Sequence, residues 1–462
     1  MNFKKPNASF FRPNSPPALV LVVALALGGC AAKPPANPLA ADTASTATAS
    51  ENALALWWQK FNDPLLSQLV TQSLQANTSI RSAQAALQQS RALRDVKGAS
   101  LLPGLNASGS AGRSKSGDFD ASNSFKVGLD ASWEPDIFGG QRSALNATEA
   151  DAQASEASLA DVQVSVAAEV AIAYIQLRGQ QAQLQIARSN LVSQQETLQI
   201  TKWRAQAGLI TSLEVEQART ASEQTSAQVP ALEASIAKTQ HSLAVLTGQR
   251  PDALRVMLKT TQPVPQAAGS LAQSIPAQTL RQRPDVRAAE HRITAALARV
   301  SAADAARYPG FSISGSLGLN ALTLGAITNG ATVVSSLLAG ISVPLFDGGA
   351  AKSQVLAQEA VLEQARASYQ TVVLTALKDV DDALAALKGD QARQVHLQAA
   401  AEAAGHAALL AQNRYSSGLI DFQTVLLTQR SLLNAQDTVA STSADLSADH
   451  VRLYKALGGG WN

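Results

Sequence analysis

The sequence predicts a mainly α-helical, internally duplicated chain that also carries membrane β-structure. Three observations lead there. Aromatic residues make up only 4% of a 462-residue chain that is 46% hydrophobic. Ala, Gln and Ser therefore stand where a globular core would use Phe, Tyr and Trp, and long helices packed through small side chains suit that composition. Landmarks recur along the chain at a nearly constant offset, the mark of a duplication. Four segments alternate apolar and polar residues in the manner of strands.

The chain opens with Lys4, Lys5 and Arg12, an apolar run from Ala18 to Leu27, and then Gly28, Gly29 and Cys30. A basic start, about ten apolar residues and a small-residue end describe a secretory signal, expected over residues 1–29. The run is shorter than the about 20 apolar residues that a spanning helix needs. Leu27-Gly28-Gly29-Cys30 is similar to the bacterial lipobox, and Cys30 is the only cysteine in the sequence. Cys30 is thus the expected lipid attachment site, the alternative being an ordinary signal with an incidental cysteine. A single cysteine also excludes an intramolecular disulfide framework and a cysteine-rich metal site. Ala31 follows it, where an Asp would signal retention at the inner membrane, so the resemblance favours the outer one. Residues 30–55 are rich in Pro, Ala and Thr and read as a flexible tether. Loss of residues 1–29 takes the formal charge from +2 to −1. A near-neutral chain argues against a nucleic-acid partner, which would demand a basic surplus.

The duplication shows in five pairs of landmarks. Ile80-Arg81 matches Val286-Arg287 and Pro103 matches Pro309, both 206 residues on. Gly139-Gly140 matches Gly348-Gly349 at 209, Gly208-Leu209-Ile210 matches Gly418-Leu419-Ile420 at 210, and Leu246-Thr247-Gly248 matches Leu457-Gly458-Gly459 at 211. A one-way drift is what loop insertions do to a repeat. The expected division is a first repeat over 56–250, a linker or equatorial segment over 251–275, and a second repeat over 276–462.

Within the first repeat, strands are expected at about 104–113 and 123–134. The second of them alternates Phe125, Val127, Leu129, Ala131 and Trp133 with Lys126, Gly128, Asp130 and Ser132. The second repeat gives about 310–320, with Phe311, Ile313, Leu317 and Leu319, and about 332–343, with Leu337, Ala339, Ile341 and Val343. About ten residues is the length a tilted strand needs to cross a bilayer. No further strands are available to cover the apolar faces, so lipid contact is favoured over a soluble sandwich. Four strands cannot close a barrel, and an open edge in lipid leaves backbone groups unpaired. The chain must oligomerise, and a homotrimer would supply twelve strands.

Long helices are expected at about 140–206 and 350–415. Val170, Leu177, Leu184, Leu191 and Leu198 recur every seven residues, as do Val355, Leu362, Tyr369, Ala376 and Ala383. Such a repeat means coiled-coil packing. At 1.5 Å per residue, about 65 residues make a rod of about 100 Å. Shorter segments, roughly 209–247 and 284–307, would stack end to end along one such rod. Gly139, Gly140, Gly348 and Gly349 mark strand-to-helix bends, lacking the Lys and helix-start spacing of a phosphate loop.

Together these residues look like an outer membrane factor of the TolC type, in the lipoprotein, NodT-like branch that serves tripartite efflux pumps. Its local marks are Trp57-Trp58-Gln59-Lys60-Phe61-Asn62-Asp63-Pro64-Leu65, Arg283-Pro284-Asp285-Val286-Arg287-Ala288-Ala289-Glu290 and Arg414-Tyr415-Ser416-Ser417-Gly418-Leu419-Ile420-Asp421. The resemblance implies a trimeric outer membrane β-barrel, four strands per chain and twelve in total, continuous with a long periplasmic α-helical coiled-coil barrel. It implies an exit duct that passes drugs or toxic compounds from a periplasmic adaptor (membrane fusion) protein and an inner-membrane RND-type transporter to the exterior. The alternatives are a duct for type I protein secretion and a non-conducting coiled-coil scaffold lipoprotein.

Gly208 and Gly418 suit helix-to-helix turns, where a left-handed backbone favours Gly, with Arg204 and Arg414 four residues before them. In the family the second tip closes the duct through an Arg, a Tyr and aspartates. Arg414 and Tyr415 match the first two, whereas the aspartate positions fall on Thr424 and Leu427, leaving Asp421 as the one carboxylate there. A periplasmic constriction is therefore expected from Arg414, Tyr415, Asp421, Thr424 and Leu427, with Leu427 forming an apolar ring that could gate by dewetting; a solvated helix-end cation is the simpler account of Arg414.

No cofactor, metal or catalytic role is expected. His241, His291, His396, His406 and His450 are scattered, without the spacing of three or four that a helical zinc pair uses. Asp379, Asp381 and Asp382 read as a solvated or duct-facing stripe and not as an acid–base pair.

Overall fold

A computed structural model describes residues 56–267 and 281–459. The expected signal, Cys30 and the tether lie outside the described residues, as does the part of the expected linker beyond residue 267.

A single-turn helix at Trp57–Phe61 leads into α1 (Pro64–Ala76) and α2 (Thr78–Ala99). Asp63 accepts the backbone N–H groups of Leu65 and Leu66 at 2.9 and 3.0 Å, and Pro64 occupies the first turn, where its missing N–H costs nothing. Asn77 caps α2 through Ser79 and Ile80, while its side-chain amide donates to Leu246 O at 2.8 Å. These two helices are absent from the expectation, which left residues 64–99 without secondary structure.

Strands β1 (Gly104–Ser114) and β2 (Ser122–Trp133) follow, then the long α3 (Gly140–Gln206) and its antiparallel partner α4 (Ser212–Leu246). The second half repeats the order as α5 (Pro284–Ala305), β3 (Gly310–Ala321), β4 (Thr332–Ser342), α6 (Ala350–Ser416) and α7 (Phe422–Ala456). Both α3 and α6 have 67 residues, about 100 Å of helix. Toward the sheet, α3 lies between α2 and α5, and α5 also packs on α6; toward the other end, α3 pairs with α4 and α7, and α7 with α6. Small residues make this approach possible. A Cβ on Gly179 of α3 would come within 2.8 Å of the Ala444 Cβ of α7.

The four strands form one antiparallel sheet in the order β1-β2-β3-β4. Its register sets Leu105 against Ala131, Val127 against Leu319, Trp133 against Ile313 and Phe311 against Ile341. Because side chains alternate faces along a strand, this register gathers most apolar positions of the four strands on one side, Val334 and Leu338 of β4 being exceptions. Ser108, Lys126, Asp130, Ser316 and Asn320 share the other. Leu105, Val127, Leu317 and Leu337 are exposed, so nothing among the described residues covers the apolar face.

The main core lies midway along the helices. Trp57, Trp58, Phe61, Leu66 and Leu69 pack with Val170, Tyr174 and Leu177 of α3, Leu243 of α4, Leu254 and Leu258 of the following segment, and Val451 and Tyr454 of α7. A second cluster of Ala218, Ala221, Ala411, Tyr415, Phe422, Val425 and Leu426 sits at the far tip.

Candidate channel wall and helical tip

The polar face of the sheet is a bonded surface. The Ser108 hydroxyl donates to Asp130 at 2.7 Å, and the Ser316 and Ser336 hydroxyls lie 2.8 Å apart. Gly128 and Gly318 oppose each other there, and a Cβ on either would stand 3.2 or 3.1 Å from the facing carbonyl oxygen. At the helical end of the sheet the Trp133 indole N–H donates to Leu101 O at 3.0 Å.

The bends use their glycines unequally. Gly139 (φ 77°), Gly348 (φ 65°) and Gly349 (φ 89°) are left-handed, whereas Gly140 already belongs to α3. Carboxylates secure both helix starts. Asp136 accepts from the N–H groups of Gln141 and Arg142, and Asp347 from those of Gly349 and Ala351.

At the tip, Gly208 (φ 71°) and Gly418 (φ 73°) end α3 and α6 in the same way. Leu209 N–H reaches Arg204 O at 2.9 Å and Gly208 N–H reaches Ala205 O at 3.0 Å, while Leu419 and Gly418 do likewise to Arg414 O and Tyr415 O. This 6→1 and 5→2 pairing satisfies carbonyls that a helix end otherwise leaves open. Each following helix is capped, α4 by Thr211 with Glu214 in a capping box and α7 by Asp421.

Arg204, not Arg414, makes the contact between halves: its guanidinium lies 4.5 Å from the centre of the Tyr415 ring and donates to Tyr415 O at 2.9 Å and Ser416 O at 3.2 Å. Tyr415 is buried beside Phe422, ring centres 5.5 Å apart, and its hydroxyl has no partner among the described residues. Arg414 is exposed, and its side chain makes no hydrogen bond or ion pair among the described residues. Asp421 is engaged locally, accepting from the Thr424 N–H at 2.9 Å and the Thr424 hydroxyl at 2.6 Å, bonds that hold its carboxyl below the usual range. Leu427 is 57% exposed. Within one chain, then, Arg204 and Tyr415 come together, Asp421 and Thr424 form a cap, and Arg414 and Leu427 face outward.

Two buried arginines carry bonds that the sequence alone does not assign, Arg283 being there only one letter of a motif. Arg178, fully buried in α3, donates to Thr260 O at 2.7 Å, to Gln181 Oε1 at 2.7 Å and to the Tyr174 hydroxyl at 3.0 Å. Tyr174 passes its own proton bond to Asp63 at 2.8 Å, and burial pushes its phenol up to about 12 against the opposing pull of Arg178. Arg178 directly follows Leu177 of the heptad stripe, and a charged residue bordering that stripe is the available signal. Arg283 bonds Asp285 at 2.8 Å, Asp379 at 3.3 Å and Ala456 O at 2.7 Å. Asp379 is therefore a partner of the second half's opening turn, which corrects its reading as part of a free acidic stripe.

The outer membrane efflux protein family matches residues 69–249 and 275–459 of this sequence. The solvent efflux pump outer membrane protein SrpC of Pseudomonas putida is 32% identical over 470 residues, covering 96% of this chain and 98% of that protein. The outer membrane protein OprJ of Pseudomonas aeruginosa is 31% identical, covering 96% and 95%. Among solved structures, the outer-membrane channel OprN superposes with a TM-score of 0.83 at 38% identity, over 88% of this chain and 93% of that one. The outer membrane protein VceC of Vibrio cholerae gives 0.81 at 27% identity, over 88% and 99%.

Proposed function

Because this chain belongs to the outer membrane efflux protein family, we propose that three copies line the exit duct of a tripartite efflux pump. The duct stands in the outer membrane with a large helical portion in the periplasm, and it works with an adaptor protein and an inner-membrane transporter. The observation that carries the trimer is the sheet: one face apolar, one face mainly polar, and two edges, β1 and β4, without partners among the described residues. Three such sheets joined edge to edge make a closed barrel of twelve strands, apolar toward lipid and polar toward the lumen. The α3 and α6 helices carry the bore onward from the bends at Gly139 and Gly349.

The inner-membrane partner is an RND-type transporter, and Cys30 carries the lipid anchor. Cargo is small molecules: the names of similar proteins refer to solvents, toluene and pyoverdine. Transport needs no chemistry from this chain, since the transporter supplies energy and selection. A non-conducting scaffold would have no use for a sheet sorted into apolar and polar faces, and type I protein secretion has no support in those names. The test is ion conductance of the purified protein in planar bilayers, together with drug susceptibility of a deletion strain. Absence of conductance from a well-formed trimer would sink the duct.

A further inference from the structure

Charge is sparse on the polar face of the sheet. By the register, Lys126 and Asp130 of β2 are the only charged residues on that face of the four strands. Four residues apart on one strand, their Cα atoms stand about 13 Å from each other. Directly across from Lys126 are Ser110 and Asn320, and across from Asp130 are Asn106 and Ser316. No opposite charge on a facing position quenches either one. The Asp130 carboxylate takes the Ser108 hydroxyl, and the Lys126 ammonium has no partner among the described residues.

Between the two charges the wall is hollow. Ser108, Gly128, Gly318 and Val334 form one row across the four strands, and its two central members bring no side chain to it. A cavity of about 190 Å³ lies over them, with Lys126 and Asn320 on one side, Asp130 and Ser316 on the other, and Ser108 and Val334 at the ends. That volume takes one ring-sized group, since an apolar cavity of about 150 Å³ holds benzene. The lining is mixed in a directed way: a cation and an anion oppose each other across the hollow, hydroxyls lie beside them, and Val334 supplies an apolar end.

We propose that this cavity is a cargo-binding site in the duct wall, for small zwitterions with an ammonium and a carboxylate at opposite ends of one apolar ring. The proposal rests on the duct reading above and names a class of cargo that the wall detains. The carboxylate meets Lys126, the ammonium meets the Asp130 oxygens left over from Ser108, and the ring lies over Gly128 and Gly318 against Val334. Hydrogen bonds between charged partners are the stronger kind, and here each end of the cargo gains one. The site also has a direction. Asp130 is the nearer of the two to Trp133 and the helices, so the zwitterion sits with its ammonium toward them. A compound with a positive charge alone is drawn by Asp130 and repelled by Lys126, and one with a negative charge alone meets the reverse, so both are held less.

The probe is para-(aminomethyl)benzoate, with benzylamine and benzoate as its singly charged halves. Saturation-transfer NMR on the whole protein purified in detergent is expected to show ring signals for the zwitterion severalfold above those of either half. Lys126→Gln and Asp130→Asn should each lower the zwitterion signal severalfold. With Lys126→Gln the benzylamine signal should rise, because the repelling charge is gone. The exchanged pair, Lys126→Asp with Asp130→Lys, should restore the zwitterion signal, since the probe can turn round; a loss that came from misfolding would not recover in this way. Ser316→Tyr keeps both charges but fills the hollow, and should abolish the signal. Equal signals for the native protein and the neutralised variants, or for the zwitterion and its halves, overturn the proposal. So does an exchanged pair that stays silent while eluting like the native protein. Binding is read without any current, so a protein that takes the probe and does not conduct would refute the duct and leave the site standing.

Discussion

Trp57 lies flat against Tyr454, ring centres 5.4 Å apart and planes 15° from parallel, joining the opening segment to the last helix. Both side chains are buried, and the Trp57 indole nitrogen has no hydrogen-bond partner among the described residues. The contact is therefore one of area and shape. Trp57→Ala should cost about 3–5 kcal/mol of unfolding free energy, in the range of large aromatic truncations. Trp57→Phe should keep most of that, because no polar bond is lost with the indole. Urea unfolding midpoints of the two variants check the contrast.

Tyr174 makes stability depend on alkaline pH. Its phenol rises from an ordinary value near 10 to about 12 in the fold, through burial. The folded chain thus holds a proton that the unfolded chain gives up first. The contribution is complete below about pH 10 and is lost as pH climbs toward 12. Tyr174→Phe should flatten that part of the stability profile, measured by thermal unfolding across the alkaline range, while loosening Asp63 and Arg178, which both bond the hydroxyl.

The two faces of the sheet should tolerate charge differently. Leu129→Arg places a guanidinium on the apolar side and is expected to cost about 2–4 kcal/mol near the bilayer midplane, less toward the interfaces. Ser110→Arg, on the polar side of β1, should leave folding near native and alter conductance instead. Yield of assembled protein in outer membrane fractions separates the two.

Gly179 is an overpacking site. A side chain there would press on Ala444 at the crossing of α3 and α7, so Gly179→Val should destabilise by about 1–3 kcal/mol. Gly179→Val combined with Ala444→Gly should recover part of the loss. Thermal midpoints of single and double variants measure the coupling.

The strands are legible in the sequence because alternation survives any arrangement of neighbours, and the long helices because a seven-residue repeat without Pro admits little else. Helix α2 is hidden for a physical reason. Of its 22 residues only Ile80 and Leu87 are buried, while Leu93 and Val96 face outward. One chain fills part of its stripe, and the apolar period is too faint to read. Helix α1 is marked by Asp63-Pro64, a cap and a first-turn proline, ahead of Leu66, Leu69, Val70 and Ser73 on its buried face. At the tip, resemblance drew attention to Arg414, whereas the contact made within the chain belongs to Arg204. Its partner carbonyls lie 211 and 212 residues away, and no local pattern announces a bond to backbone oxygen at that distance.

The open edges of β1 and β4 bear on how the protein comes to be in its membrane at all. A lone copy pushed into hydrocarbon would strand two rows of N–H and C=O groups, each unmet one costing several kcal/mol. The barrel has no stable one-third. Copies must therefore find one another before or during insertion, which makes arrival in the bilayer a collective event whose rate rises steeply with supply. A copy that folds its helices but cannot offer a sound strand edge would withhold two healthy ones with it, so a single damaged gene dose would be felt as more than its share.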